Sequence, residues 1–229
     1  MKIITQNYLL NNFPEIHRHI KEYYPLGIKS SSLEYKNFSG IKKLEKLINT
    51  NIVNTDYYEK FWTNGFLKKI SEITGYDASG ATYGIVPNYG GKIIIKETEK
   101  YKIELQFYLS LIGNYYSVQI IKIDKKYNST IFNNIPKFGP KIIKIIVSPK
   151  EGYYSELFSE IELLIENQFS KSKFLPYYFD TKKLNGLDVF HEYSTDLCDP
   201  ISKAFFNKGI NTDENVEIIG NINHKLSKL

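Results

Sequence analysis

Four glutamates at helical spacing form the sharpest cluster of reactive side chains in this sequence, within the stretch SELFSEIELLIENQ. They are Glu156, Glu160, Glu162 and Glu166. Residues four apart are neighbours on a helix surface, so the cluster holds two pairs of like charges, each unfavourable by a few tenths of a kcal/mol. No lysine or arginine lies between 151 and 170 to relieve this repulsion.

Three kinds of role fit these carboxylates. An anionic patch would dock a cationic partner, because such patches steer association and select partners. Paired carboxylates also serve acid–base catalysis or metal binding, but no histidine or aspartate motif accompanies these. A solvated helix face, neutralised by lysines from the first part of the chain, is the third reading. We take the docking patch, with all four glutamates as partner-binding residues, as the predicted site.

A second cluster has the residue types of a cysteine nucleophile. Asp188, His191, Asp196, Cys198 and Asp199 fall within twelve residues. A catalytic cysteine needs a base within hydrogen-bond reach and a positive setting that lowers the pKa of its thiol. The charges around Cys198 are negative and would raise that pKa. We therefore predict no catalytic residues, and keep an enzyme with a site near His191 and Cys198 as an alternative.

The glycine-rich stretch GATYGIVPNYGGKIIIKE is a candidate for a phosphate-binding loop. A Walker A loop needs GxxxxGK followed by Ser or Thr and then a helix, whose N-terminus binds the phosphate. Five residues before Gly91 stands Val86, Lys92 is followed by Ile93, and the next segment has the pattern of a strand. The sequence predicts a surface turn at Gly90 and Gly91 instead.

The histidines do not form a metal motif. His17 and His19 are two apart, about 200° around a helix axis, and so cannot bind one ion from a single face. The stretch HEYST lacks the second histidine of HExxH. We expect surface or half-buried histidines, no metal and no cofactor.

The charge of the chain is uneven along its length. The net formal charge of +5 divides into +10 over 1–150 and −5 over 151–229. This suggests nucleic-acid binding through lysines such as Lys42, Lys43 and Lys46 as an alternative function. Arg18 is the sole arginine, and arginine makes the bidentate phosphate and guanine contacts that lysine cannot. We rank this alternative below protein binding.

The elements that must position these residues begin with helices over 1–75. Asn12 is a candidate N-cap before Pro14, and helical spacing continues to Tyr24. Further helices are predicted at about 40–50 and 55–74, the last ending at Gly75.

The hydrophobic period then changes from helix to strand. Alternation from Tyr101 to Leu111 predicts a strand with one buried face, and Gly113-Asn114 predicts a hairpin turn to the next. Segments on either side complete an antiparallel sheet of four or five strands within 80–147.

A long amphipathic helix, predicted over 149–169, should pack on this sheet and carry the glutamates. Ser148, Pro149 and Glu151 match a capping box at its start. The segment 172–229 is irregular and covers the rest, with a strand or a helix at its end. The predicted fold is a single α+β domain over 1–229.

The functional expectation is a non-enzymatic binding protein. A lone cysteine excludes an internal disulfide framework, and no apolar run is long enough for a signal peptide or a membrane span, which favours the cytoplasm. Nineteen tyrosines supply the residue type enriched at protein interfaces. In these general properties the chain resembles immunity proteins of bacterial toxin systems, which implies that it neutralises a cationic toxin domain by protein–protein contact.

Overall fold

The structure is a computed structural model of this chain. It describes residues 1–82, 86–125, 128–132, 135–138, 141–189, 197–206 and 216–229, with backbone alone for 128–132 and 135–138.

The first part of the chain is helical, as predicted, but its first helix begins before Asn12, the predicted cap. Its helices are α1 (Gln6–Asn12), α2 (Pro14–Tyr23), α3 (Leu33–Asn37) and α4 (Ser39–Ile48). Thr5 caps α1, because its side chain accepts a hydrogen bond from the backbone N–H of Tyr8. Asn12 is therefore the last residue of α1 and not the cap of α2, which begins directly at Pro14.

A second helical stretch confirms the prediction for 55–74, although its middle is widened. It consists of α5 (Thr55–Tyr58), a π-helical segment (Glu59–Leu67) and α6 (Lys68–Thr74). Another π-helical segment, Asn49–Val53, follows α4. Gly75 ends the stretch with φ of +70°, the left-handed conformation that glycine adopts without a steric penalty.

The sheet is mostly antiparallel, which confirms the α+β class. Its central strands are β3 (Asn88–Glu97), β4 (Tyr101–Ser110), β5 (Tyr115–Asp124) and β8 (Lys141–Ile146), in the order β3-β4-β5-β8. Three short strands extend the predicted four or five to seven: β2 (Ala78–Gly80), β9 (Lys173–Phe174) and β11 (Glu217–Ile219). The last two join in parallel from the C-terminal part of the chain.

Two small strand pairs lie outside this sheet. One is the hairpin of β6 (Asn128–Phe132) and β7 (Ile135–Phe138). The other is a parallel pair of β1 (Lys2–Ile4) and β10 (Lys182–Leu184), which ties the N-terminus to the C-terminal part.

The predicted surface turn at Gly90 and Gly91 is wrong, because both glycines are buried inside β3. A Cβ on Gly91 would overlap the ring of Phe107 on the neighbouring strand. The carbonyl of Gly90 accepts a hydrogen bond from Trp62 Nε1 at 2.9 Å. These glycines thus allow large aromatic side chains to approach the sheet closely.

The helix predicted over 149–169 is shorter: α7 spans Ser155–Gln168. The capping box at Ser148 does not form, because the Ser148 hydroxyl instead accepts from the backbone N–H of Asn221 at 2.8 Å. Turns carry the chain to Tyr154, whose φ of +56° precedes the helix. The helix packs on the sheet as expected, with Phe158 and Ile161 fully buried in the core beneath it.

The segment after α7 is irregular, as predicted. A 3₁₀ turn (Tyr177–Thr181), α8 (Lys203–Phe206) and a last 3₁₀ turn (Leu226–Lys228) accompany its short strands. Apolar side chains form two main cores: one lies between the sheet, α6 and α7, and the other joins α2 and α4 to α8. In the described part of the chain, no helix has both the length and the apolar character that crossing a membrane requires.

Candidate functional site on helix α7

The four predicted glutamates are divided between two sides of α7. Glu156 is exposed and Glu160 is half-buried, and both lie on the side turned away from the sheet. Leu163 shares this side and leaves 56% of its surface exposed. We call Glu156, Ser159, Glu160, Leu163 and Asn167 the outer face of α7, since they recur every three to four residues.

Glu162 and Glu166 turn the other way, toward the C-terminal segment. Glu162 is only 4% exposed. His224 Nε2 lies 3.0 and 3.2 Å from its two carboxylate oxygens, and Lys225 Nζ lies 3.2 Å from Oε1. A buried carboxylate needs such partners, because an unpaired buried charge is strongly unfavourable.

Glu166 extends the same cluster to the sheet. Its Oε1 accepts from the Tyr116 hydroxyl at 2.5 Å and from Lys225 Nζ at 2.9 Å. Burial raises the pKa of Glu166, but these two hydrogen bonds outweigh it, so the pKa is lowered. Burial, reinforced by the bond to Glu166, raises the pKa of Tyr116, which keeps its phenol protonated as a donor.

The interpretation of the glutamates as a solvated helix face, neutralised by lysines from the first part of the chain, therefore holds only in part. Lysine does relieve Glu162 and Glu166, but Lys225 belongs to the acidic second part of the chain and not to the basic first part. Within the described residues, no ion pair reaches Glu156 or Glu160.

The basic and acidic parts of the chain also meet elsewhere. Lys173 pairs with Glu15 on α2, and Lys144 on β8 lies 3.0 Å from Glu217 on β11. Both pairs dock the C-terminal part of the chain, but only the second joins a lysine of the basic part to a carboxylate of the acidic part.

The predicted cysteine cluster lies only partly within the described residues. His191 and Asp196 lie outside them. Cys198 is half-buried. Asp188 accepts from the backbone N–H of Ser30 at 2.8 Å, and Asp199 accepts from that of Val189 at 2.7 Å. Asp188 thus ties the C-terminal part to the loop after α2, and Asp199 braces a loop within the C-terminal part.

Asp199 has a second partner, Lys203 Nζ at 2.8 Å from Oδ1. Its charge is therefore compensated locally by α8. These contacts give Asp199 a structural role, whereas Asp188 Oδ1 is buried without a hydrogen-bond partner among the described residues.

The histidines of α2 are buried, which corrects the expectation of surface or half-buried positions. His19 Nε2 lies 2.7 Å from Arg18 Nη2, and Nδ1 lies 3.3 Å from the Tyr115 hydroxyl. The guanidinium can only donate, so Nε2 accepts and the ring is neutral. Burial, followed by the charge of Arg18, lowers the pKa of His19. Among the described residues, no group of three or more potential ligands is placed to hold a metal ion.

A buried polar network on the sheet was missed by the sequence analysis. Gln106 Nε2 donates to Glu104 Oε1 at 2.6 Å, while Gln106 Oε1 accepts from Tyr108 at 2.9 Å and Gln119 at 3.1 Å. Lys102 Nζ lies 2.7 Å from Glu104 Oε2. The alternation of β4 predicted one buried face, but both faces are covered. In the sequence, this network corresponds to the polar residues that alternate along β4 and β5.

The lysines of the nucleic-acid alternative lie on α4. Lys42 and Lys46 are exposed. Lys43 pairs with Glu22 and lies over the ring of Tyr23, 5.1 Å from its centroid. One of the three is therefore engaged within the fold, and Glu45 on the same helix offsets part of the remaining charge.

In comparisons with known proteins, no protein-family model, no curated protein and no solved structure matches this chain significantly. The outer face of α7 offers carboxylates that have no ion pair with any described residue, beside an exposed leucine, on a helix whose other side is fixed. Such a surface can attract a cation-rich protein and bury an apolar contact.

Proposed function

We propose that this chain is a non-enzymatic cytoplasmic binding protein, and within that class an inhibitor or immunity protein that neutralises a cationic toxin domain by direct contact. The single observation that carries the proposal is the outer face of α7. There Glu156 and Glu160, without a counter-ion in the described part of the chain, lie within two helical turns of the exposed Leu163.

The chemistry of this face suits a protein partner. Unpaired carboxylates raise the rate of encounter with a basic surface, and they disfavour acidic competitors. The apolar side chain beside them, Leu163, can enter a pocket on the partner and lose its contact with water. Interfaces concentrate their binding energy in such central contacts, surrounded by a polar rim.

The rigidity of α7 supports the same role. Phe158, Ile161 and Ile165 anchor one side of the helix in the core. Glu162 and Glu166 fix a second side to the C-terminal segment. A surface that is already ordered loses less conformational entropy on binding. In this proposal Glu156 and Glu160 make the first contact with the partner, while Glu162 and Glu166, paired with the C-terminal segment, hold the helix in place.

The experiment is an affinity capture at low salt from the native host, followed by co-expression. The test variant is Glu156→Gln/Glu160→Gln/Leu163→Ala. The matched control is Glu34→Gln/Glu45→Gln/Leu33→Ala, which makes the same three changes at exposed positions on α3 and α4, where Leu33 is 76% exposed. Each captured protein is then expressed alone and together with the wild-type chain.

The expected result is one stoichiometric basic protein that wild type and the control retain and the test variant loses. That protein should stop cell growth when expressed alone, and the wild-type chain should restore growth. Equal capture by both variants would remove the outer face from the interface. Recovery of nucleic acid without a protein partner would overturn the proposal in favour of the lysines on α4.

A further inference from the structure

The side chain of Lys225 lies in a site suited to an ammonium group. Its Nζ is 3.2 Å from Glu162 and 2.9 Å from Glu166, and it donates to the Tyr116 hydroxyl at 3.2 Å. The same nitrogen lies 5.7 Å from the ring centroid of Phe174 and 5.9 Å from that of Tyr116. Two carboxylates and two aromatic rings thus surround one cation.

The walls of this site are firm. Tyr116 is fully buried on β5, and Phe174 on β9 and Glu162 on α7 are nearly so. Tyr116 and Phe174 also pack edge to face, with ring centroids 5.3 Å apart. The walls therefore come from the sheet and from α7, and not from the segment that supplies the lysine.

The side chains of segment 221–229 are packed: Ile222, Leu226 and Leu229 lie against apolar cores. The His224 ring packs edge to face on Phe158 and Phe174. The backbone of the segment, in contrast, makes few hydrogen bonds to other elements. Its backbone is tied to neighbouring elements by Asn221 to the Ser148 hydroxyl and by Tyr178 to the carbonyl of Ile222. The backbone bonds of His224 and Leu226 are local turns within the segment. Lys225 itself has φ of +58°, a left-handed conformation that is uncommon for residues other than glycine. Its side chain contacts hold it there.

From this arrangement we propose that 221–229 is an exchangeable strap. Its Lys225 ammonium occupies the site between Glu162, Glu166, Tyr116 and Phe174, and a lysine of the cationic partner takes that place when the strap lifts. The inference rests on the proposed function for the partner, and it adds a regulatory contact: the chain screens its second pair of glutamates until a competing cation arrives.

The test uses pentalysine as the probe and measures its affinity for full-length variants by calorimetry. Lys225→Ala empties the ammonium site, whereas Lys225→Met keeps it filled. Both variants lose the same charge, so a purely electrostatic effect would be equal in the two. All variants also carry Glu156→Gln/Glu160→Gln, which removes the outer carboxylates from the comparison. Acetylated pentalysine is the control probe.

We expect Lys225→Ala to bind pentalysine about tenfold more tightly than Lys225→Met or the Lys225 parent, the scale of one partly buried cation contact. Adding Glu166→Gln should remove the gain, and acetylated pentalysine should show none. Equal affinity for Lys225→Ala and Lys225→Met would overturn the proposal.

If Lys225→Ala does not unfold cooperatively, amide hydrogen exchange is measured instead on the parent protein, which keeps Lys225 and carries Glu156→Gln/Glu160→Gln. Pentalysine at millimolar concentration should then speed exchange within 222–228, and unchanged exchange overturns the strap. Because the probe replaces the partner, failure here leaves the capture experiment intact. If the capture experiment fails, the pentalysine result still tests whether the ammonium site accepts a second lysine.

Discussion

Lys225 Nζ lies 2.9 Å from Glu166 Oε1 although the two residues are 59 positions apart in the chain. The same nitrogen is 3.2 Å from Glu162, which is almost fully buried. One lysine from the C-terminal segment therefore pairs with two of the four glutamates on α7 and helps to fix the side that the helix presents to solvent.

Replacing Lys225 with methionine should destabilise the chain, because the buried Glu162 would lose its contact with the lysine ammonium. We expect the free energy of unfolding to fall by about 1–3 kcal/mol, below the full cost of an isolated buried charge because His224 remains. Urea unfolding measures it. Lys228→Met is the control, since Lys228 is exposed, and it should stay within about 0.5 kcal/mol. Equal losses for the two variants would contradict the role of Lys225.

The contribution of Glu166 should depend on pH in the acid range. Its pKa in the folded state is lowered from 4.5, so the folded state binds this proton less readily than the unfolded state. The stabilisation is therefore fully present above pH 4.5 and is lost as pH falls through the folded pKa. The difference in unfolding free energy between wild type and Glu166→Gln should shrink from pH 6 to pH 3. A constant difference would refute the lowered pKa.

His19 should add a second pH dependence, nearer neutrality. Its pKa is lowered from 6.5 by burial and by Arg18, so the unfolded state takes up the proton first as pH falls. Stability should therefore decline below pH 6.5. The groups facing the ring include Glu15, Glu22 and Lys173, whose charges partly offset one another. His19→Gln should flatten the decline between pH 6.5 and 5 in thermal unfolding curves, and an unchanged slope would argue against His19 as its source.

Gly91→Ala should be strongly unfavourable, because the new methyl group would overlap the buried ring of Phe107. Overpacking of this kind costs about 1–3 kcal/mol. Gly80→Ala on the edge strand β2 is the control: its Cβ would meet only the end of the Tyr58 side chain, at 3.3 Å. Chemical denaturation should show a clearly larger loss for Gly91→Ala. Similar losses would mean that the sheet moves to accommodate the methyl group.

Local patterns were sufficient for several elements. The helical stretch 55–74 and its end at Gly75 follow from apolar spacing and from a residue that accepts a left-handed backbone. The strands β4 and β5 follow from period-2 alternation and the Gly113-Asn114 turn. In each case the interactions that decide the structure lie within a few residues of one another.

Other predictions failed where a distant partner was stronger than the local signal. Ser148 has the position of an N-cap, but its hydroxyl bonds to Asn221, 73 residues later. Gly90 and Gly91 have the composition of a turn, but Trp62 and Phe107 require them inside a strand. The polar residues of β4 suggested a solvent face, yet they form a buried network with Gln119.

For the candidate site, the sequence by itself determined that Glu156, Glu160 and Leu163 share one side of a helix, and that Glu162 and Glu166 lie on another, because the helical period sets those directions. Only the tertiary structure decided which pair faces solvent. That choice depends on where His224 and Lys225 meet the helix, and a contact between such distant segments leaves no periodic trace in the sequence.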